Sequence, residues 1–145
     1  MSGSAPDDAP QDAPLPVAAA VLLHAGRVLV QTRPAGAHYA GFWEFPGGKL
    51  EPGESPAAGV ERECREELGL EVRARETLCE VEWSYPGRRV RVHFVRCEAD
   101  GVPAPEDLDG QLLRWADADD LGTLRFLPAN AEVLELLAAR LTAGD

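Results

Sequence analysis

Gly48-Lys49-Leu50-Glu51-Pro52-Gly53-Glu54, followed after a short interval by Arg62-Glu63-Cys64-Arg65-Glu66-Glu67-Leu68-Gly69-Leu70, is the stretch on which the reading of this chain depends. Its second half is expected to be helical. Ser55 suits an N-cap, Pro56 suits the first helical position, where no N–H is needed, and Gly69 suits a C-terminal stop. Between them Ala57, Val60, Cys64 and Leu68 recur at three- and four-residue spacing, which predicts one apolar stripe. At about 100° per residue, Glu63 and Glu67 stand almost above one another, with Glu66 beside them. The acidic face therefore borders the buried one.

Three carboxylates crowded onto one helix repel each other unless something compensates them. A merely solvated face would carry its acids in the first turn, where the helix dipole favours them; these lie toward the C-terminal half. A divalent cation supplies the missing compensation, and oxygen-only donors suit Mg²⁺, with Mn²⁺ as a substitute. Arg62 lies one turn before Glu66 and can also reach back to Glu54, which would lock the carboxylates in orientation.

Working outward, Val17 to His24 is an apolar run, and Ala25-Gly26 reads as a tight turn into Arg27 to Gln31, a hairpin signal. Thr32 to Ala40 is a loop, and Phe42 to Leu50 is extended but interrupted at Pro46-Gly47-Gly48. Val72 to Tyr85 and Arg89 to Cys97, joined through Pro86-Gly87, form a second hairpin, with Val90, Val92 and Phe94 on one face. Gly101 to Gly110 is an acidic, proline-bearing loop, and Gln111 to Trp115 is a last strand. Pro128 to Leu141 is an amphipathic helix. Mixed strands with two longer helices indicate an α+β fold.

Residues 1–16 differ in kind: Ser, Ala, Pro and Asp with almost no large apolar side chain, which predicts a disordered tail before a domain at 17–145. No Lys or Arg precedes Arg27, so a signal or transit peptide is not expected, and no segment is long enough to span a membrane. A cytoplasmic location is the expectation. Cys64, Cys79 and Cys97 are odd in number and widely spaced, favouring neither a disulfide framework nor a zinc site. The formal net charge of -11 argues against binding duplex nucleic acid. The same acidity is compatible with a polyphosphate substrate if cations stand between them.

The glycine loop and the acidic helix together resemble the Nudix box, G-x5-E-x7-R-E-U-x-E-E-x-G-U with U aliphatic. Gly48, Glu54, Arg62, Glu63, Glu66, Glu67, Gly69 and Leu70 stand in register, and Cys64 occupies an aliphatic position, where a buried thiol behaves as a small hydrophobe. The resemblance implies an α/β/α sandwich around a mixed sheet, in a monomer or homodimer, and a divalent metal cofactor. It also implies roles. Glu63 is the candidate base or ligand, Arg62 orients the cluster, and Glu54 is an outer carboxylate of the same catalytic group. Glu66, Glu67 and the Gly47 carbonyl are metal ligands, with Asp109 where a later metal-binding Glu often stands.

Gly41-Phe42-Trp43-Glu44-Phe45-Pro46-Gly47-Gly48-Lys49 resembles the segment before the box in MutT-like nucleoside triphosphate pyrophosphohydrolases, and the likeness continues through Tyr85-Pro86, Trp115 and Pro128-Ala129-Asn130. By this match Arg33 and Lys49 contact phosphates, Phe45 lines the base pocket, and Asn130 hydrogen-bonds a purine edge. Gly87 stands where MutT has an Asp. The implied activity is hydrolysis of a (deoxy)nucleoside triphosphate, foremost 8-oxo-dGTP, to monophosphate and pyrophosphate. Alternatives are CTP or modified dCTP, ADP-ribose, and a nucleotide-binding module without turnover. Phe42, Trp43 and Phe45 could equally be core, and Asn130 could cap the last helix.

Overall fold

Residues 13–101, 103–107 and 110–142 are described by the computed structural model of the chain. The apolar run near its start is the central strand, β1 (Leu15–His24). Its middle, Ala18 to Leu22, is apolar and buried without alternation because both faces are covered there. Ala18, Ala20 and Leu22 enter one buried cluster, and Ala19 and Val21 enter another. Ala25 and Gly26 both adopt left-handed backbone, with φ of 53° and 77°. That conformation matches the twist of a two-residue hairpin, and β2 (Arg27–Thr32) returns from it.

Along its other edge β1 pairs in parallel with β6 (Arg88–Glu98), from Leu15 opposite Val90 to Leu22 opposite Cys97. The outer neighbour of β6 is the antiparallel β5 (Arg73–Tyr85). Beyond β2 lie β3 (Trp43–Glu44) and β7 (Leu113–Ala116), whereas β4 (Gly47–Lys49) pairs with the first half of β1. One parallel pairing among antiparallel ones makes the sheet mixed, as expected.

Helix α1 (Pro56–Leu68) begins and ends where its punctuation predicts. The Ala58 N–H donates to Ser55 Oγ at 3.1 Å. Gly69 turns left-handed, and the N–H groups of Gly69 and Leu70 close on the carbonyls of Arg65 and Cys64. Its buried stripe is Gly59, Val60, Cys64 and Leu68. Ala57, expected in that stripe, is exposed. Gly59 is buried instead because Leu50 packs into the space a side chain there would take, 2.3 Å from an added Cβ.

The α1 stripe covers the Ala18, Ala20, Leu22 face together with Val95 and Cys97 of β6. The opposite face, with Val21, Val28, Val30 and Phe94, is covered by α2 (Ala118–Thr123) and α3 (Ala131–Thr142) through Leu121, Val133, Leu137 and Leu141. Each fully buried Leu or Val here contributes about 1.5–3 kcal/mol of transfer free energy. The result is the helix–sheet–helix sandwich that the sequence led us to expect.

Three details differ from expectation. The short α2 was not foreseen; Asp117 and Asp120 cap it reciprocally, each accepting the other's backbone N–H at 2.9–3.0 Å. The last helix opens with a separate 3-10 turn, Pro128–Asn130, before α3. Leu15 and Pro16, assigned to the tail, already belong to β1, and residues 1–12 lie outside the described residues. Among the described residues no helix is long and apolar enough to cross a membrane.

Candidate active site

Two adjacent glycines bring β4 against its neighbours. A Cβ on Gly47 would lie 2.1 Å from the Ala18 carbonyl oxygen, so only glycine lets the strand approach β1 this closely. A Cβ on Gly48 would lie 2.6 Å from Glu63 Oε2. The bare backbone at Gly48 therefore forms the cradle in which the Glu63 carboxylate sits.

Behind that cradle, Arg62 organises five acceptor oxygens on four residues. Its Nε donates to Glu54 Oε2 at 2.8 Å and its Nη2 to Glu54 Oε1 at 2.9 Å. Nη2 also donates to the Lys49 carbonyl at 3.1 Å, and Nη1 to Glu63 Oε2 and Glu66 Oε1, each at 3.1 Å. Glu54 accepts the Glu51 N–H as well, at 2.9 Å. These bonds from Arg62, with that backbone N–H, hold the Glu54 carboxyl down at about 2. The same contacts raise the Arg62 guanidinium still further above its usual range. Loop, β4 and helix are thus joined at one cation, the expected arrangement of Arg62 with Glu54.

Glu63 and Glu67 occupy successive turns of α1. Glu67 lines a cavity of about 300 Å³ together with Gly47, Gln31 and Glu44. Glu66 is turned outward, its side chain 60% exposed, and is held by Arg62. Among the described residues no three carboxylate, imidazole or thiolate side chains already converge on one point. Asp109 lies outside the described residues. The donors nevertheless fit a hard divalent cation: they are oxygens, carried on one rigid helix, with Glu63 accommodated by the side-chain-free Gly48. Glu63, Glu67 and the Gly47 carbonyl could hold it, as could Glu66 on release from Arg62.

A second cavity, of about 350 Å³, is lined by Gly47, Gly48 and Lys49 and by Asn130. The exposed Lys49 lines it, as does Arg33, which is paired with Glu44 at 3.4 Å. Burial raises the Glu44 carboxyl against the pull of Arg33 and a hydrogen bond with Gln31. Phe45 is only 4% exposed, stacked on Phe126 and edge-on to Phe94, so it is core and cavity wall at once. Asn130 is 5% exposed, and its Nδ2 has no hydrogen-bond partner. A buried amide left with a donor to spare is costly unless something else accepts it.

Sequence reasoning gave no role to Glu44, Tyr39 and Tyr85, which line the cavity, although Tyr85-Pro86 lay in a segment it singled out. Glu44 stood within a quoted motif but carried no role; its only signal was a charge between two aromatics in a short strand. Tyr39 adopts a left-handed φ of 62° and packs edge-on against Tyr85 and Phe42 at 5.5 and 5.2 Å. A tyrosine in a loop, such as Tyr39, leaves no periodic trace. Of the histidines, His38 borders the cavity, His93 lies 3.3 Å from Glu80, and His24 tilts against Trp115.

The NUDIX domain family matches residues 17–136 of the chain. The chain is 33% identical over 123 residues to the CTP pyrophosphohydrolase of Escherichia coli K12, covering 85% of this chain and 90% of that protein. It is 34% identical over 111 residues to the 8-oxo-dGTP diphosphatase of the same organism, covering 76% of this chain and 84% of that protein. The solution structure of the E. coli ORF135 protein superposes with a TM-score of 0.74 at 31% identity, covering 90% of this chain and 92% of that one. With a family match over most of its length and the glycine cradle, arginine clamp and acidic helix in place, the chain belongs to the NUDIX domain family, as one of its pyrophosphohydrolases.

Proposed function

We propose that the protein hydrolyses a nucleoside triphosphate to the monophosphate and pyrophosphate, with an oxidised guanine nucleotide, 8-oxo-dGTP, as the preferred substrate. The observation that carries this reading is the lining of one cavity: Gly47, Gly48 and Lys49, on and beside the strand that meets the acidic helix, line it together with the buried amide of Asn130. The likeness to an 8-oxo-dGTP diphosphatase supports the choice of base.

The chemistry that Mg²⁺ supplies when bound is neutralisation of the polyphosphate oxygens and acidification of the attacking water. The chain's own residues do the rest. Lys49 and Arg33 bind phosphate oxygens not already compensated. Glu63, braced by Arg62 Nη1 and seated over Gly48, accepts the proton of the water whose oxygen bonds to phosphorus. The bridging P–O bond then breaks, and pyrophosphate leaves. Glu54 touches no substrate in this scheme; it holds Arg62, and through it the carboxylates. Phe45 walls the base, and Asn130 Nδ2 donates to an acceptor on its edge.

A second reading changes only the base. The relative named CTP pyrophosphohydrolase aligns over more of the chain than the diphosphatase does, which favours a cytidine triphosphate. Ranking kcat/KM for 8-oxo-dGTP, dGTP, dCTP, CTP and ADP-ribose separates the two. Preference for 8-oxo-dGTP supports the first reading and preference for a cytidine nucleotide the second. Equal or better hydrolysis of ADP-ribose overturns both.

A further inference from the structure

The 3-10 turn that carries Asn130 lacks the usual means of closing its own start. Leu127 at its N-cap offers no side-chain acceptor, and Pro128 at the first position has no N–H. Ala129 therefore presents the first orphan donor of the turn. That N–H is taken from across the cavity by the phenolic oxygen of Tyr85, at 3.2 Å. Tyr85 ends β5, next to the Pro86-Gly87 turn. Its half-buried ring lines the cavity and is backed by the edge of Tyr39.

We propose that Tyr85 is a positioning residue for base recognition: its hydroxyl acts as a substitute N-cap for the 3-10 turn and thereby fixes where the Asn130 amide points. The inference rests on the nucleotide reading above. A side chain from another strand sets the turn because the turn's own sequence, Leu127-Pro128-Ala129-Asn130, cannot. The Asn130 backbone N–H closes onto the Leu127 carbonyl, at 3.0 Å, and the Leu127 N–H onto the Trp43 carbonyl, at 3.1 Å, so the Tyr85 hydroxyl is the contact that ties the start of the turn to β5. Asn130 Nδ2, buried and unpartnered, is useful only if its direction is held. Tyr39 presses on the same ring and relays the 33–42 loop onto this contact.

Tyr85→Phe removes the acceptor and keeps the ring, so it is the direct test. Two readouts are compared in wild type, Tyr85→Phe, Asn130→Ala and the double variant. One is kcat/KM for 8-oxo-dGTP against dGTP and dCTP; the other is calorimetric Kd for the corresponding monophosphates. We expect Tyr85→Phe to reduce base selectivity roughly tenfold in both, the scale of one well-placed hydrogen bond. In the Asn130→Ala background the same change should have less than about a twofold effect, because the two residues act through one contact. Adding Leu127→Ser to Tyr85→Phe gives the turn an acceptor of its own and should restore part of the selectivity.

Selectivity within twofold of wild type in Tyr85→Phe overturns the inference, as does a Tyr85→Phe effect undiminished in the Asn130→Ala background. A structural role alone would lower Tm and leave the ratio unmoved, which also counts against it. A wild-type protein that binds monophosphates selectively without turning over any triphosphate would sink the hydrolase reading and leave this one standing.

Discussion

Arg62 grips Glu54 with two parallel hydrogen bonds and turns its remaining nitrogen, Nη1, toward Glu63. One planar cation thus fixes an outer carboxylate and a reacting one in the same geometry. A lysine could neutralise the charge but could not form this fork. Arg62→Lys should fold, and its activity should fall about 10- to 100-fold, the usual cost of losing the partner that orients a ligand. A divalent-cation titration of activity checks it: the half-saturating concentration rises in the variant. An unchanged titration curve would remove Arg62 from its assigned role.

The Glu54 carboxyl, held at about 2 against an ordinary 4.5, makes a prediction about acid stability. A carboxyl whose pKa is depressed on folding stabilises the fold fully above its unfolded value. It loses that contribution as pH falls through the folded value. The window is therefore between about pH 4.5 and 2. Glu54→Gln should be less stable than wild type at neutral pH, and the gap between them should close across that window. Urea unfolding at several pH values measures it.

The two glycines of β4 should fail differently. An added methyl at Gly47 meets the backbone of Ala18, which cannot step aside, so Gly47→Ala should destabilise the fold by about 1–3 kcal/mol or more. At Gly48 the methyl meets only the end of the Glu63 side chain. Gly48→Ala should keep its melting temperature within a few degrees and lose at least tenfold in kcat, since a misplaced reacting group is expensive. Thermal melts alongside kinetics distinguish the two.

Cys64 and Cys97 are buried, and burial pushes the Cys97 thiol up to about 12 and that of Cys64 higher still. The half-buried Cys79 is pushed up to about 11. Since thiolates, not thiols, react, the native protein should resist thiol reagents at neutral pH, with Cys79 reacting first and slowly. All three should react at once in denaturant. Rapid native labelling of Cys64 would contradict the buried stripe of α1.

Much of this architecture was written locally. Ser55, Pro56 and Gly69 mark α1 because capping is chemistry between near neighbours, and Ala25-Gly26 marks its hairpin for the same reason. The parallel pairing of β1 with β6 was not legible, since strands some seventy positions apart leave no joint signature in either. α2 was missed because six residues are too few to show a period. Its Asp117 and Asp120 reciprocal caps were the available clue. At the site, the clamp between Arg62 and Glu54 followed from helical spacing plus a nearby loop. The pairing of Glu66 with Arg62 followed from the same i,i+4 spacing, whereas the contact of Arg62 with its sequence neighbour Glu63 did not, because adjacent residues on a helix do not ordinarily face each other. Phe45 proved to be both core and wall, a double role that no pattern of apolar residues separates. Tyr39 and Tyr85 meet only through the fold.

The measurement that bears most directly on the account is pyrophosphate release from 8-oxo-dGTP as a function of Mg²⁺ concentration, for wild type and Glu63→Gln. Wild type should show no turnover without the cation and saturating turnover with it, and Glu63→Gln should fall by about 10²–10⁴ at saturation. Wild-type turnover in the presence of excess chelator, or a Glu63→Gln variant as fast as wild type, would contradict it.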